Sequence, residues 1–184
     1  MSSYHFITEW KFKSNCKEVY EILEDVEQLS TWWPSVYLDV SILKKGEVGG
    51  VGKEVGLITK GWLPYILKWK FKVVETKAPY GFTIEALGDF VGKGVWTLTD
   101  DPITGMCYVK YDWKIQAEKK LIRNFSWLLR PIFSANHHWA MKKGEESMAL
   151  ELRRRHLEEN VSTPPMPTFY PKKNIQYDDY LWQD

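Results

Sequence analysis

The stretch Leu67-Lys68-Trp69-Lys70-Phe71-Lys72-Val73 alternates apolar and basic residues without a break. Side chains of a β-strand point alternately to the two faces of its sheet, so the pattern predicts a strand with its lysines in water and its apolar residues in the core. We take this strand as the centre of the fold, because segments with the same period lie on both sides of it.

Further strands are predicted before and after this stretch. Residues 6–13 alternate in the same way, with Phe6, Trp10 and Phe12 on the apolar face. Other alternating segments lie at residues 38–42, 82–87, 94–99 and 107–116. The sequence Asp101-Pro102-Ile103-Thr104-Gly105 predicts a hairpin turn between the last two. Strands at such short intervals indicate an antiparallel meander.

Two short helices are predicted after the first strand. Ser14 or Asn15, both good helix N-caps, precedes an apolar stripe that predicts a helix over residues 17–24. A second helical turn over residues 26–31 should end before Trp32-Trp33-Pro34, because a residue that precedes proline disfavours the helical conformation.

The period becomes helical again from about residue 121 to about residue 159, and we expect an interruption at Pro131. Residues 133–157 predict one long helix with a single apolar stripe, which we expect to lie against the concave face of the sheet. The stripe consists of Phe133, His137, Ala140, Met141, Gly144, Met148 and Leu152.

Composition limits the class of protein. The 184 residues carry a net charge of +1, which argues against a nucleic-acid binder that relies on bulk charge. Two cysteines cannot supply a disulfide framework or a cysteine-rich zinc site. No apolar run reaches the length of a membrane span and the first residues lack a signal-peptide pattern, so we expect a soluble, cytoplasmic protein. The unusual feature is the aromatic content, 10 Trp, 10 Tyr and 8 Phe.

The order strand, two short helices, antiparallel strands and one long C-terminal helix is that of the α+β helix-grip fold. Trp10, the helix sequence Val19-Tyr20-Glu21-Ile22-Leu23 and Trp32-Trp33-Pro34 resemble the opening of the START and birch-pollen-allergen (SRPBCC) superfamily. Its polyketide cyclase/dehydrase and lipid-transport branch is the nearest. The segments at residues 60–65, 88–96 and 136–141 are also similar to bacterial members of that branch.

The resemblance covers roughly residues 4–157 and implies a curved sheet wrapped around the long helix. It also implies a cavity between them that holds an apolar or aromatic small molecule, but it implies no single reaction. We therefore expect a helix-grip domain over residues 1–159 and a separate tail over residues 160–184. The tail holds four of the nine prolines, and its residues Tyr170, Tyr177, Tyr180 and Trp182 can pin it to the surface.

Aromatic residues are the main candidates for ligand contact. Trp10, Trp69, Trp96 and Trp113 are predicted on inward faces of strands, where they can equally form core. Trp32, Trp33, Trp62 and Tyr65 are predicted in exposed connections, at the rim of the cavity or as a plug at one end of the sheet. Met141 and His137, on the helix stripe, and Arg130 complete the predicted ligand-binding set.

His137 is the one candidate for acid/base chemistry, and the alternative is a core histidine bonded to a strand carbonyl or a tyrosine. His138 points about 100° away on a helix, so we predict no metal site. Arg130 is expected either to clamp an anionic group or to cap helix carbonyls.

The other polar candidates are weaker. Alternation places Glu85 and Asp112 toward water, and Asp89 is expected to be a solvated turn carboxylate. The glycines of residues 46–56 lack the ending of a phosphate-binding loop, and no cofactor is predicted. Cys16 begins a helix, where a lowered pKa is conceivable, but we expect a small buried residue.

Three functions remain open. The first is a binder or carrier of a lipid-like or polyketide-like molecule, for which we expect a cavity of at least about 300 Å³. The second is a cyclase or dehydratase in which His137 abstracts a proton and Arg130 or Tyr65 steadies the enolate. The third is a protein-interaction module that uses the tail.

Overall fold

Seven antiparallel strands form one sheet in the order β1-β7-β6-β5-β4-β3-β2. The structure is a computed structural model that describes residues 3–117 and 126–168. The strands are β1 (Ser3–Phe12), β2 (Tyr37–Lys44), β3 (Glu54–Thr59), β4 (Leu67–Thr76), β5 (Gly81–Gly88), β6 (Phe90–Asp101) and β7 (Met106–Ala117). The predicted meander is confirmed, and the first strand pairs with the last.

The alternation along β4 has the predicted effect on burial. Trp69, Phe71 and Val73 are buried, whereas Lys68 and Lys72 are exposed. The buried side chains of β4 and of its neighbours form the concave face on which the helices lie.

Two short helices follow β1, as predicted. They are α1 (Cys16–Glu24) and α2 (Leu29–Trp32), with a 3₁₀ turn at Val26–Gln28 between them. The side chain of Asn15 accepts a hydrogen bond of 2.9 Å from the backbone N–H of Glu18, which identifies Asn15 as the cap of α1.

The long helix α3 (Ser126–Arg155) lies against the sheet. The prediction of an interruption at Pro131 is wrong, because α3 runs through it. The proline lies in the second turn, where the missing N–H removes only the hydrogen bond to the carbonyl of residue 127. None of the described helices is long and apolar enough to cross a membrane.

The expectation that Trp32 and Trp33 lie in an exposed connection is also wrong. They are 1% and 2% exposed. Trp33 meets Trp10 edge to face, with ring centroids 5.6 Å apart, and its ring lies over Gly144 of α3. The helix therefore covers this pair, because a glycine leaves room for an indole ring.

The described part of the predicted tail returns toward the sheet. The hydroxyl of Thr168 donates to the carbonyl of Gly61 at 3.4 Å, and the Lys60 ammonium donates to the carbonyl of Thr168. The predicted anchors Tyr170, Tyr177, Tyr180 and Trp182 lie outside the described residues.

Candidate functional site

A cavity of about 120 Å³ lies between the concave face of the sheet and the N-terminal half of α3. Its walls are mainly apolar and aromatic. The sheet side consists of Tyr4, Phe6, Leu67, Trp69, Phe90, Tyr111, Trp113 and Ile115, and the helix side of Phe133, Asn136, His137, Ala140 and Met141. Trp33, Val36, Tyr37, Thr59, Lys60, Gly61 and Tyr65 complete the lining.

Six of the eleven predicted ligand-binding residues line this cavity. They are Trp33, Tyr65, Trp69, Trp113, His137 and Met141. Their role in binding stays a prediction, since position alone does not establish contact with a ligand.

The other five predicted residues lie elsewhere. Trp10 and Trp96 pack on each other, with ring centroids 5.5 Å apart, and Trp32 packs on Trp33. Trp62 is half-buried outside the lining. Arg130 is exposed, so it is not placed to steady a ligand inside the cavity.

His137 lines the cavity and has a buried ring nitrogen. Its ring stacks on Phe6 with centroids 4.0 Å apart, and its Nε2 has no hydrogen-bond partner among the described residues. Burial, with a smaller contribution from His138, lowers the pKa of His137 from 6.5 to about 3. The imidazole is therefore neutral near pH 7 and can donate or accept one hydrogen bond at Nε2.

Tyr4 is a lining residue that the sequence analysis missed. Its hydroxyl is buried and has no partner among the described residues. Burial raises the pKa of Tyr4, and the Arg130 guanidinium, 5.8 Å from the ring centroid, partly offsets that effect. The signal was present in the sequence, because Tyr4 precedes Phe6 by two residues on the same strand face.

Lys60 and Asn136 were missed as well, although each begins one of the segments, residues 60–65 and 136–141, on which the resemblance rests. Lys60 is only 4% exposed, and burial lowers its pKa. The Asn136 side chain accepts a hydrogen bond of 3.2 Å from the backbone N–H of Leu63 and fills the space above Gly61. Lys60 directly follows β3 and Asn136 lies on α3, so only the tertiary structure brings the two residues together at the cavity.

The remaining polar atoms of the lining are neutral. Burial raises the pKa of Tyr37, Tyr65 and Tyr111, so their hydroxyl groups keep their protons. The indole Nε1 of Trp69 donates to the Thr59 hydroxyl at 3.0 Å. Apart from the Lys60 ammonium, which donates to the carbonyl of Thr168, the site offers hydrogen bonds from neutral groups in a medium of low polarity.

No carboxylate belongs to the described lining. Asp89 accepts a hydrogen bond of 2.9 Å from the backbone N–H of Lys68 at the corner between β5 and β6. Asp112 lies 3.0 Å from His5 outside the lining, and Glu85 is exposed. The prediction that Glu85 and Asp112 point away from the concave face is confirmed.

Cys16, Asp100 and Cys107 form the one cluster of possible metal ligands in the described part of the chain. The two Sγ atoms are 2.7 Å apart, whereas two thiolates on a tetrahedral zinc ion lie about 3.8 Å apart. This arrangement does not fit zinc. Burial raises the pKa of Cys16, so the helix start does not produce a reactive thiolate here.

Comparisons with known proteins establish the fold. The sequence matches no protein-family model and no curated protein. The structure is similar to that of the Zhui aromatase/cyclase from a Streptomyces species, with a TM-score of 0.65 and 16% identity over 84% of this chain and 96% of that one.

Two further solved structures have the same architecture. A START superfamily protein from Mycobacterium smegmatis has a TM-score of 0.60 and 12% identity, and the match covers 78% of this chain and 98% of that one. Norcoclaurine synthase from Thalictrum flavum, in complex with dopamine and hydroxybenzaldehyde, has a TM-score of 0.55 and 12% identity. The match covers 84% of this chain and 88% of that one. The chain therefore has the helix-grip fold of START-superfamily proteins, and the resemblance found in the sequence is confirmed for the fold.

Proposed function

We propose that this protein binds a compact, ring-containing small molecule in the cavity between the sheet and α3. The observation that carries the proposal is the combination of an aromatic lining with three buried polar atoms, Tyr4 Oη, Trp33 Nε1 and His137 Nε2, that have no partner among the described residues. Apolar walls with a few placed polar groups are typical of small-molecule sites.

Cavity size limits the ligand. The volume of about 120 Å³ is below the 300 Å³ or more expected for a lipid-like or polyketide-like molecule. Trp69 and Trp113 from the sheet and Phe133 from the helix line the cavity, and such large side chains leave less room for a ligand. A protein cavity of about 150 Å³ binds benzene, so one ring is the size that this cavity suits.

The unpartnered atoms specify the polarity of the ligand. A buried polar atom without a hydrogen bond costs about 1–3 kcal/mol, and a ligand hydroxyl or carbonyl would remove that cost. Since His137 is neutral, it favours a neutral group over an anion. The ligands of norcoclaurine synthase, dopamine and hydroxybenzaldehyde, are single-ring phenols, which supports this choice for the same fold.

Phenol and toluene test the proposal, because they have nearly the same shape and differ in one hydroxyl group. We expect saturable binding of both by titration calorimetry, with phenol about tenfold tighter, the equivalent of one net hydrogen bond of about 1.4 kcal/mol. Tyr4→Phe, which removes only the buried hydroxyl, should reduce that preference. Tyr108→Phe is the matched control, because Tyr108 is exposed.

Two results would contradict the proposal. One is the absence of saturable binding of either compound to the folded protein. The other is an unchanged preference for phenol in both Tyr4→Phe and His137→Phe. Native mass spectrometry of the purified protein adds an independent measurement, because a retained ligand reveals its own mass.

A cyclase or dehydratase with His137 as acid/base is the second candidate. It rests on the same unpartnered Nε2 at the cavity. A pKa of about 3 makes the imidazole a weak base, whereas general bases work best with a pKa near the working pH. Binding is therefore the better supported function. Loss of catalytic turnover in a His137→Gln variant that still binds phenol would favour the enzyme.

A further inference from the structure

Two buried thiols lie far from the cavity. Cys16 is the first residue of α1, and Cys107 is near the start of β7. Both are fully buried, and their Sγ atoms are 2.7 Å apart although the residues are 91 positions apart in the chain. We propose that Cys16 and Cys107 form a reversible disulfide that ties the first helix to the last strand.

The surrounding structure holds the two sulfurs in place. Cys107 pairs with Phe12 of β1 on one side and with Asp100 of β6 on the other. The Asp100 carboxylate accepts a hydrogen bond of 2.7 Å from the backbone N–H of Cys16, which attaches the start of α1 to β6. Because a disulfide bond measures about 2.05 Å, the sulfurs need to approach by only about 0.65 Å.

The reaction requires a two-electron oxidant, which in this proposal is hydrogen peroxide. One thiolate attacks the peroxide O–O bond, which yields a sulfenic acid and hydroxide. The sulfur of the second cysteine then displaces the hydroxyl group of the sulfenic acid as water and forms the S–S bond. The two cysteines lose two protons and two electrons in total, and the peroxide is reduced to two water molecules.

The expected rate follows from burial. Burial raises the pKa of both thiols, so few of them are ionised at neutral pH. Because the thiolate is the reacting form, oxidation should be slow near pH 7 and faster at alkaline pH. The pair therefore acts as a structural redox site rather than as a fast sensor.

The disulfide would restrict the unfolded chain by closing a long loop. We expect the midpoint of thermal unfolding to rise by roughly 5–15 °C on oxidation. The test treats the full-length protein with hydrogen peroxide at pH 8.5, a moderately alkaline value chosen for thiolate formation. Intact mass, non-reducing peptide mapping and calorimetry follow, before and after dithiothreitol.

We expect the intact mass to fall by about 2 Da and a Cys16–Cys107 cross-linked peptide to appear. The midpoint of thermal unfolding should rise, and the reductant should reverse that rise. Cys107→Ala is the control and should show no rise after peroxide. If that variant does not fold, reversal of the midpoint in the unsubstituted protein is the deciding measurement. Two free thiols after treatment, or oxygen addition to separate cysteines without the cross-link, would overturn the proposal.

Discussion

The groove between the sheet and α3 has two ends that are built from the same residue types and packed differently. At the packed end, which we define by Trp10, Phe12 and Trp96, aromatic rings meet each other at 5.5 to 6.1 Å between centroids, and none of them lines the cavity. At the cavity end, which we define by Phe6, Trp113 and His137, rings of similar size enclose the cavity.

The short helices explain the difference. α1 contacts β6, β7 and α3 and contributes Val19, Ile22 and Leu23 to the core. Its Tyr20 meets Phe82 edge to face at 6.0 Å, and Phe82 stacks on Trp96. The described residues include no corresponding element over the cavity end. An excess of aromatic residues therefore indicates a ligand site only where the groove around them is left unfilled.

The largest expected effect is a difference in the free energy of unfolding that substitutions at the two ends of the groove cost. Trp10→Ala should lower the free energy of unfolding by about 3–5 kcal/mol, because the indole is fully packed. Phe133→Ala at the cavity end should lower it by only about 1 kcal/mol, because that ring is half-buried beside the cavity. Urea denaturation measures both. Equal losses of unfolding free energy would contradict the distinction between the packed end and the cavity end. If Trp10→Ala does not fold, Trp10→Phe takes its place.

A second comparison adds one or two methyl groups to α3 at Gly144 and at Ala140, one turn apart. A Cβ atom on Gly144 would lie 2.3 Å from the Trp33 ring, so Gly144→Ala should destabilise the protein by roughly 1–3 kcal/mol. This cost should exceed the gain in helix propensity of about 1 kcal/mol. Ala140→Val, which extends into the cavity, should change stability by less than about 1 kcal/mol and weaken phenol binding. A stabilised Gly144→Ala variant would show that the contact between α3 and Trp33 is not tight.

The smallest expected effect is a pH dependence of the free energy of unfolding, which arises from His137 at the cavity end. The pKa of His137 is about 3 in the folded protein and 6.5 when unperturbed, so below pH 6.5 the unfolded chain binds the proton and the folded chain does not. The free energy of unfolding should therefore fall on acidification, by at most about 1.4 kcal/mol per pH unit. Measurement between about pH 6.5 and 5 avoids most carboxylate titration.

His137→Phe serves as the matched variant for this measurement, because it keeps an aromatic ring against Phe6 and removes the titrating group. Its stability should depend less on pH over the same range. A slope equal to that of the unsubstituted protein would assign the pH dependence to another group.

Much of the fold was predictable because periodicity is a local property. The alternation of residues 67–73 and the stripe of α3 each arise from side-chain direction along one element. The prediction of an interruption at Pro131 failed because the proline lies in the second turn of α3, where its missing N–H removes one backbone hydrogen bond. Trp33 was misplaced because nothing local shows that Gly144, more than 100 positions later, provides its space, and Trp32 packs on Trp33.

By itself, the sequence determined the order of the elements, the inward face of each strand and the helix-grip fold, because these depend on spacing within short segments. Only the tertiary structure decided which aromatic residues fill the groove and which surround a cavity, since that depends on how α1, α2 and α3 pack across the sheet. It also decided that Tyr4 and His137 share the cavity and that Cys16 meets Cys107. Contacts between residues so distant in the chain leave no local pattern in it.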